Sequence, residues 1–159
     1  MNAAVLTVSD RVSRGEADDT SGDTLAALLA GDGYAVARRC VPDEADEIAT
    51  AIEELAADAA LVLTTGGTGL APRDVTPEAT RTVVQRDVPG IAEALRADSI
   101  ARTPHGLLSR GVAGVLGRTL VVNLPGSTGG CRDGYAVVRP ALEHALALLA
   151  DEPTAHRAS

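Results

Sequence analysis

Apolar and polar residues alternate in blocks along the first half of the chain, and the blocks predict strands and helices in turn. Short apolar runs, rich in β-branched residues, predict strands over residues 3–8, 34–41 and 60–64. From residue 45 to residue 59, apolar side chains recur at helical spacing with most acidic residues on the other faces, which predicts an amphipathic helix. Strands that alternate with helices predict an α/β fold whose largely parallel sheet is covered on both faces.

Capping and proline signals place the next helices. Thr20 or Ser21 is expected to cap a helix over residues 25–29. Thr76 is expected to cap a later helix whose first residue is Pro77, the position where a helix tolerates proline best.

The second half of the chain predicts two longer helices with a hairpin between them. A helix that starts at a proline is expected over residues 89–101, and an antiparallel hairpin over residues 112–124 turns at Gly117. The last helix extends to about residue 150, and Pro140 is expected to break it because proline donates no helical hydrogen bond.

Length and composition favour one domain and limit its partners. The 159 residues suit a single domain over residues 1–150, with a flexible tail over residues 151–159. Apolar residues make up 45% of the chain, but Phe and Trp are absent, so Ala, Val, Leu and Ile must fill the core. A net charge of −8 argues against nucleic acid and anionic membranes as partners. No signal peptide or membrane span is recognisable, so we expect a cytoplasmic protein.

All 14 basic residues are arginines, and the absence of lysine excludes two kinds of chemistry. A Walker-type phosphate loop needs a lysine, and so does a Schiff base formed on a side chain. Cys40 and Cys131 lack the spacing of metal ligands and are expected to be reduced, buried thiols.

Four polar loops follow predicted strands, and a parallel sheet would bring them to one edge. The most informative is LTTGGTGLAPRDVTPEAT, residues 63–80. Its glycines would let the backbone approach an anion and present successive N–H groups to a phosphate, and its threonines add hydroxyl donors. The candidate phosphate-binding residues are Thr65, Gly66, Gly67, Thr68 and Gly69.

An Arg-Asp pair follows this loop. Arg73 could give a phosphate a bidentate charged contact, whereas a carboxylate would repel the phosphate unless Asp74 held Mg²⁺. The alternative is a tight turn with a local ion pair between the two residues. Asp43, in the sequence VPDE, could be a second carboxylate for the metal, and the alternative there is an ordinary helix N-cap. Asp43 and Asp74 are therefore the candidate catalytic and metal-binding residues.

Two more loops carry candidate binding residues. The first, DDTSG, is also an ordinary capping sequence, and its candidates for lining a pocket around a polar ring are Asp19, Ser21 and Gly22. The second, PGSTGG, is either a turn that a ligand approaches closely or a plain connection from a strand to a helix. Its candidates are Pro125, Gly126 and Ser127.

These motifs, in this order, resemble the MogA/MoaB family of molybdopterin-binding domains. VLTVSDR resembles the first strand of the family, GEADDTSG its Gly…Asp-x-Ser-Gly loop, and VPDE its second loop. TTGGTGLAPRDVTPEAT resembles its most specific motif, and LSRGVAG and NLPGSTGG resemble later ones. The resemblance covers nearly the whole chain. One departure is Thr128, where many members have proline, and it predicts a looser turn with an extra hydroxyl.

The resemblance implies a three-layer αβα sandwich with a mostly parallel, mixed sheet, assembled as a homotrimer. It implies that molybdopterin and ATP are substrates, with Mg²⁺ as cofactor and with adenylyl-molybdopterin and pyrophosphate as products. A molybdate-insertion enzyme would then use the adenylylated product. By position it assigns Asp43 and Asp74 to the functional carboxylates of the family, and the glycine loop and the turn at 124–127 to nucleotide and pterin contacts. The attacking phosphate is already ionised, so catalysis would rest on positioning and charge neutralisation.

Two other functions stay open at this point. A non-catalytic member of the family would bind molybdopterin or a related pterin without adenylylating it. A generic dinucleotide-binding fold would use the glycine loop for a pyrophosphate, but no G-x-G-x-x-G follows the first predicted strand. The sequence does not distinguish a molybdenum cofactor from a tungsten cofactor.

Overall fold

The structure, a computed structural model, describes residues 1–151, and the predicted tail falls almost wholly outside these described residues. The strands are β1 Asn2–Val8, β2 Ala35–Val41, β3 Leu61–Thr65, β4 Arg86–Asp87, β5 Ala113–Leu116 and β6 Thr119–Leu124. The helices are α1 Asp10–Ser13, α2 Thr20–Gly31, α3 Ala45–Ala56, α4 Thr76–Val83, α5 Pro89–Arg102 and α6 Thr128–Leu149, with a 3₁₀ helix at Pro104–Leu108.

All six strands form one sheet, in the order β2-β1-β3-β6-β5-β4. The four strands from β2 to β6 are parallel to one another, and β5 is antiparallel to both of its neighbours. The predicted mostly parallel, mixed sheet is therefore confirmed. The carboxyl ends of β1, β2, β3 and β6 lie at one edge, where the four polar loops meet.

Alternate residues of the central strands face two apolar layers. Ala3 and Val5 of β1 pack with α2, α5 and α6 on one face of the sheet. Ala4 and Leu6 of the same strand pack with α3 and α4 on the other face. The α/β fold therefore has the three layers that the family resemblance implies. Aliphatic side chains make up most of both layers, as the composition requires, and Tyr135 and Cys131 join them in the first layer.

The N-caps of two helices differ from the predictions. Asp19, rather than Thr20 or Ser21, caps α2, because its carboxylate accepts the N–H three residues further along at 3.0 Å. Thr76 is the first residue of α4 and not its cap. The hydroxyl of Thr76 instead donates to the carbonyl of Gly66 at 2.9 Å, so it holds the glycine loop against the helix.

Helix α6 is continuous through Pro140, where the sequence predicts a break. The proline faces outward, while Val138 and Leu142 on either side of it are buried against the sheet. An interior proline costs a helix about 3 kcal/mol. Each fully buried aliphatic side chain contributes about 1.5–3 kcal/mol, so packing of the inner face outweighs the lost hydrogen bond.

The hairpin prediction is confirmed, and three short elements escaped prediction, one of them the 3₁₀ helix at Pro104–Leu108. Strands β5 and β6 pair antiparallel around a turn in which Gly117 has a φ of 60°. Strand β4 and helix α1 have only two and four residues, too few for a hydrophobic period to show. Within residues 1–151, no helix is long and apolar enough to cross a membrane.

Candidate active site

The loop from β3 to α4, residues 66–75, has a backbone that only glycine permits at its start. Gly66 and Gly67 have φ values of 100° and 66°, in the left-handed region. A β-carbon at Gly66 would overlap the carbonyl oxygen of Val8, and one at Gly67 would overlap the hydroxyl of Thr76. The β-carbon at Gly67 would also lie 3.2 Å from Oδ1 of Asp43, so the loop backbone passes directly beside that carboxylate.

Three successive N–H groups of this loop lack a protein acceptor within the described residues. The N–H of Gly66 donates to the carbonyl of Leu124 at 3.3 Å, whereas those of Gly67, Thr68 and Gly69 donate to no residue in this part of the chain. Successive amides in a left-handed turn form a concave anion site. This geometry is the one that the sequence predicts for a phosphate-binding turn, and phosphate binding itself stays a prediction.

The carboxylate of Asp43 is hydrogen-bonded to the backbone of Asp10. The alternative prediction, that Asp43 is the N-cap of a helix, is therefore wrong. Oδ2 of Asp43 accepts the N–H of Asp10 at 2.9 Å, and Oδ1 of Asp10 accepts the N–H of Asp43 at 3.1 Å. The N-cap residue of α3 is Glu44, which makes no capping hydrogen bond through its side chain. Burial, together with the negative charges of Asp10 and Asp74, raises the pKa of Asp43.

Asp74 lies beside the end of the glycine loop. Its Oδ2 accepts the N–H of Ala71 at 3.0 Å, and a β-carbon at Gly69 would lie 2.9 Å from the same oxygen. Within residues 1–151 no hydrogen-bond donor reaches its other oxygen. Asp43 therefore lies beside the first and Asp74 beside the third of the residues that carry the unbonded amides.

Arg73 does not form the local ion pair with Asp74 that the sequence allows. Its guanidinium donates to Asp10 from Nε at 2.5 Å and from Nη2 at 3.0 Å, and to Glu44 from Nη2 at 2.8 Å. These hydrogen bonds lower the pKa of Asp10 to about 2. Arg73 is therefore hydrogen-bonded to carboxylates of the protein itself, whereas the sequence predicts that it contacts a phosphate.

The two candidate metal ligands fit a magnesium ion that arrives with a nucleotide. Within residues 1–151, no group of three or more His, Cys, Asp or Glu side chains is arranged to hold a metal. Mg²⁺ is commonly held by one or two carboxylates together with water and phosphate oxygens, and does not need a cage of protein ligands. Asp43 and Asp74 can supply two carboxylates, and the like charge near Asp43 is what a cation would neutralise.

Asp19 holds the loop before α2 together through several hydrogen bonds. The alternative prediction, that the sequence DDTSG caps a helix, is confirmed. Besides the cap of α2, the carboxylate of Asp19 accepts the hydroxyl of Thr7 at 2.9 Å and the guanidinium of Arg38 at 2.7 Å. A β-carbon at Gly22 would overlap the Asp19 carboxylate, and Ser21 is buried. The three predicted pocket residues therefore lie together at the end of β1, packed mainly against the protein itself.

The turn from β6 to α6, Pro125–Ser127, touches the glycine loop. A β-carbon at Gly126 would lie 3.3 Å from the α-carbon of Gly66. The hydroxyl of Thr65 donates to the carbonyl of Pro125 at 2.7 Å, and Thr65 is fully buried. This hydroxyl joins the two turns and is not exposed to a ligand, which corrects the donor role that the sequence predicts for Thr65.

The start of α6 is ordered by its own residues. Ser127 is its N-cap, and its hydroxyl accepts the N–H of Gly130 at 3.0 Å. Thr128 is the first helical residue, so the turn closes without the proline that many family members have. Cys131 is a buried free thiol that donates to the carbonyl of Pro125 at 3.2 Å, whereas Cys40, also free, is only half-buried.

A cavity of about 290 Å³ lies beside this turn, between α5 and the start of α6. Its exposed lining is mostly apolar, and the polar residues among those that surround it include Arg96, Arg102, Ser109, Asn123 and Ser127. Its volume is at the lower end of the range for small-molecule sites, about 300–1,000 Å³. The second turn therefore has a cavity next to it that combines apolar walls with a few polar groups.

Arg110 and Asp10 belong to this site, and reasoning from the sequence missed both. Arg110 donates from Nε to the carbonyl of Gly69 and from Nη2 to the carbonyl of Asp74, each at 2.7 Å. It also forms an ion pair with Glu78. The signal for Arg110 is the LSRGVAG motif, which was recognised as a whole and not residue by residue.

Comparison with known proteins agrees with the family resemblance of the sequence motifs. Residues 4–144 match the protein family described as "Probable molybdopterin binding domain". A molybdopterin adenylyltransferase of Helicobacter pylori is 36% identical over 156 residues, which cover 94% of this chain and 88% of that protein. Gephyrin of Dictyostelium discoideum is 40% identical over 161 residues, which cover 94% of this chain and 22% of the gephyrin.

A solved structure shares the fold at higher identity. The molybdopterin biosynthesis enzyme MoaB of Thermus thermophilus is 48% identical and superposes with a TM-score of 0.88, over 96% of this chain and 98% of that one. This chain spans only 22% to 47% of the first three curated relatives it matches, which are longer proteins. The match to the family nonetheless extends over almost all of the described residues, and the chain belongs to the molybdopterin-binding-domain family, with MogA and MoaB among its structural relatives.

Proposed function

We propose that this chain is a molybdopterin adenylyltransferase of molybdenum cofactor biosynthesis. The observation that carries the proposal is the row of three unbonded amides at Gly67, Thr68 and Gly69, flanked by the carboxylates of Asp43 and Asp74. The alignment along 88% of a relative with that name supports it.

The reaction joins two anions. An oxygen of the terminal phosphate of molybdopterin attacks the α-phosphorus of ATP, the bond from that phosphorus to the bridging oxygen breaks, and pyrophosphate leaves. The attacking oxygen is already ionised near neutral pH, so no general base is required. The chain has to bring the two phosphates into line and offset their charge.

Different loops align the phosphates and offset their charge. The amides of Gly67, Thr68 and Gly69 donate to phosphate oxygens and hold the phosphates at the edge of the sheet. Asp43 and Asp74 would hold Mg²⁺, which would supply positive charge to the phosphates, as in other phosphoryl transfers. The cavity beside Ser127 offers volume for an organic part of one substrate. The homotrimer, the cytoplasmic location and a partner that inserts molybdate stay predictions.

The test is turnover by the purified chain. Molybdopterin, ATP and Mg²⁺ are mixed with it, and adenylyl-molybdopterin and pyrophosphate are followed together. We expect Asp74→Asn and Asp43→Asn each to lower the rate by about 10²–10³-fold, the usual cost of one group that stabilises charge in the transition state. Asp58→Asn, at the opposite edge of the sheet, is the matched control and should turn over like the wild type.

Three outcomes separate the alternatives. Tight binding of molybdopterin without any adenylylated product would remove the enzymatic proposal and leave a non-catalytic pterin-binding protein. Turnover that Asp74→Asn leaves unchanged would keep the enzyme and remove Asp74 from its mechanism. Binding of NAD(P)H, detected by its fluorescence, would favour a generic dinucleotide-binding protein.

A further inference from the structure

We infer that Asp10 and Arg73 are positioning residues that tie the loop of Asp43 to the loop of Asp74. This inference rests on the proposed function, because it concerns the same two carboxylates. It assigns a role to Asp10, which the sequence does not single out, and replaces the phosphate contact that the sequence predicts for Arg73.

The first link joins Asp10 to Asp43. Each residue donates its backbone N–H to the carboxylate of the other, at 2.9 Å and 3.1 Å. The first bond holds one oxygen of the Asp43 carboxylate, and the second holds the backbone of the same residue. The start of α1, directly after β1, therefore constrains both the side chain and the backbone of Asp43 on the loop after β2.

The second link joins Asp10 to Arg73. The guanidinium reaches both oxygens of Asp10, from Nε at 2.5 Å and from Nη2 at 3.0 Å. A two-point contact of this kind fixes the plane of the arginine as well as its distance. Since Arg73 directly precedes Asp74, the contact also fixes the segment from which Asp74 projects.

The residues that Arg73 contacts argue against a role for it as a phosphate ligand. Moving the guanidinium onto a substrate would leave Asp10, Asp43 and Asp74 close together without the positive charge that now lies among them. Arg73 also contacts Glu44 at 2.8 Å, so the carboxylates of two residues, Asp10 and Glu44, would lose their partner at once. Arg73 therefore positions the carboxylates, and the amides of the glycine loop stay available to bind the phosphates.

The chain offers a matched control for the loss of such an ion pair. Arg139 contacts Asp32 with the same two-point geometry, at 2.6 Å and 2.7 Å. The two arginine side chains are 53% and 61% exposed, and the two aspartates 18% and 22%. The Arg139 pair joins the end of α2 to α6, away from the glycine loop, so it measures what a comparable pair contributes to stability alone.

The kinetic test compares Arg73→Met, Asp10→Asn and their double variant with Arg139→Met. We expect kcat to fall about 10–100-fold in each single variant, as when a partner that orients a metal ligand is removed, with KM for ATP changed by less than about threefold. The double variant should be no slower than the slower single variant, because both break one chain of contacts. Arg73→Lys keeps the charge without the two-point contact and should recover only part of kcat.

Two kinetic results would overturn the inference. A rise in KM for ATP at unchanged kcat in Arg73→Met would make Arg73 a substrate ligand. Turnover of Arg73→Met equal to that of Arg139→Met would leave the pair with no part in catalysis.

A second measurement does not depend on turnover. Hydrogen exchange of the backbone amides of Asp10 and Asp43, followed by NMR on the protein without substrates, should be about tenfold faster in Arg73→Met than in the wild type, because the Asp10 segment loses the contacts that hold it closed. Arg139→Met should leave both amides protected. Faster exchange in a protein that never adenylylates would keep the positioning role and remove the proposed function. Unchanged exchange would remove the positioning role whatever the turnover.

Discussion

Arg110 donates a hydrogen bond from Nη2 to the backbone carbonyl of Asp74 at 2.7 Å, and so holds that residue without touching its carboxylate. The same guanidinium binds the carbonyl of Gly69, and the backbone N–H of Arg110 binds the carbonyl of Thr68 at 2.9 Å. The glycine loop is thus held by Arg110 on one side and through Arg73 on the other. Within residues 1–151, the amides of Gly67, Thr68 and Gly69 and one oxygen of the Asp74 carboxylate are left without a hydrogen-bond partner.

Replacing Arg110 should loosen this loop. Arg110→Met removes the donors to two loop carbonyls, and leaving partly buried carbonyls without donors costs about 1–3 kcal/mol of unfolding free energy. We also expect kcat to fall, because Asp74 loses its support. Urea unfolding and turnover measure the two effects. Glu78→Gln removes only the exposed ion pair and should cost less than about 1 kcal/mol; equal losses in the two variants would contradict this role.

Gly66 should tolerate no side chain. Gly66→Ala forces a β-carbon into the left-handed region, which costs about 1–2 kcal/mol, and also against the carbonyl of Val8. Gly31→Ala is the control, since α2 ends at Gly31 and a β-carbon there would meet nothing within 4 Å. It should stabilise the protein by about 0.4–1 kcal/mol. Thermal unfolding should therefore move in opposite directions in the two variants, and a destabilised Gly31→Ala would show that space alone does not decide the outcome.

Thr65 should matter through its hydroxyl rather than its shape. Thr65→Val keeps the volume but takes from the Pro125 carbonyl its donor at 2.7 Å, leaving only the weaker thiol of Cys131. We expect a loss of about 1–3 kcal/mol in urea unfolding. Thr24→Val is the control, because its hydroxyl donates within α2 on a more exposed face. A loss no larger than in the control would show that the two turns are joined by packing alone.

The sheet and its convergent loops could be predicted because their signals are local. Strand runs, the helical spacing of α3 and the proline at the start of α5 each lie within a few residues of the element they define. The convergence of the four loops then followed from parallel pairing, which the strand order confirms. The family resemblance rested on the same local segments.

The remaining parts of the site depend on contacts between distant residues. Asp10 meets Asp43 across 33 residues, and Arg110 meets Asp74 across 36, so no local pattern marks either residue. The prediction of the N-cap of α2 was wrong for another reason. Asp19, Thr20 and Ser21 are all good capping residues, and the choice among them depends on Thr7 and Arg38, which hold Asp19 in place.

The stability of the protein should depend on pH through Asp32, which lies outside the candidate site. Hydrogen bonds from Arg139 and from the hydroxyl of Tyr135, the latter at 2.8 Å, lower the pKa of Asp32 in the folded protein. In the unfolded chain that pKa returns to about 3.9. Ionised Asp32 therefore stabilises the fold fully above the unfolded value, and this contribution is lost as the pH falls through the lower folded value.

Asp32→Asn should remove this dependence, because asparagine does not titrate. We expect the wild type to be more stable than Asp32→Asn by a constant amount between about pH 7 and about pH 5, and the difference to shrink below about pH 4. Urea midpoints of the two proteins across this range measure it. Asp58→Asn serves as the control for the loss of one negative charge, since within residues 1–151 the Asp58 side chain forms no ion pair. A difference between wild type and Asp32→Asn that stayed constant down to about pH 3 would show that Asp32 stabilises the fold in a way that does not require its charge.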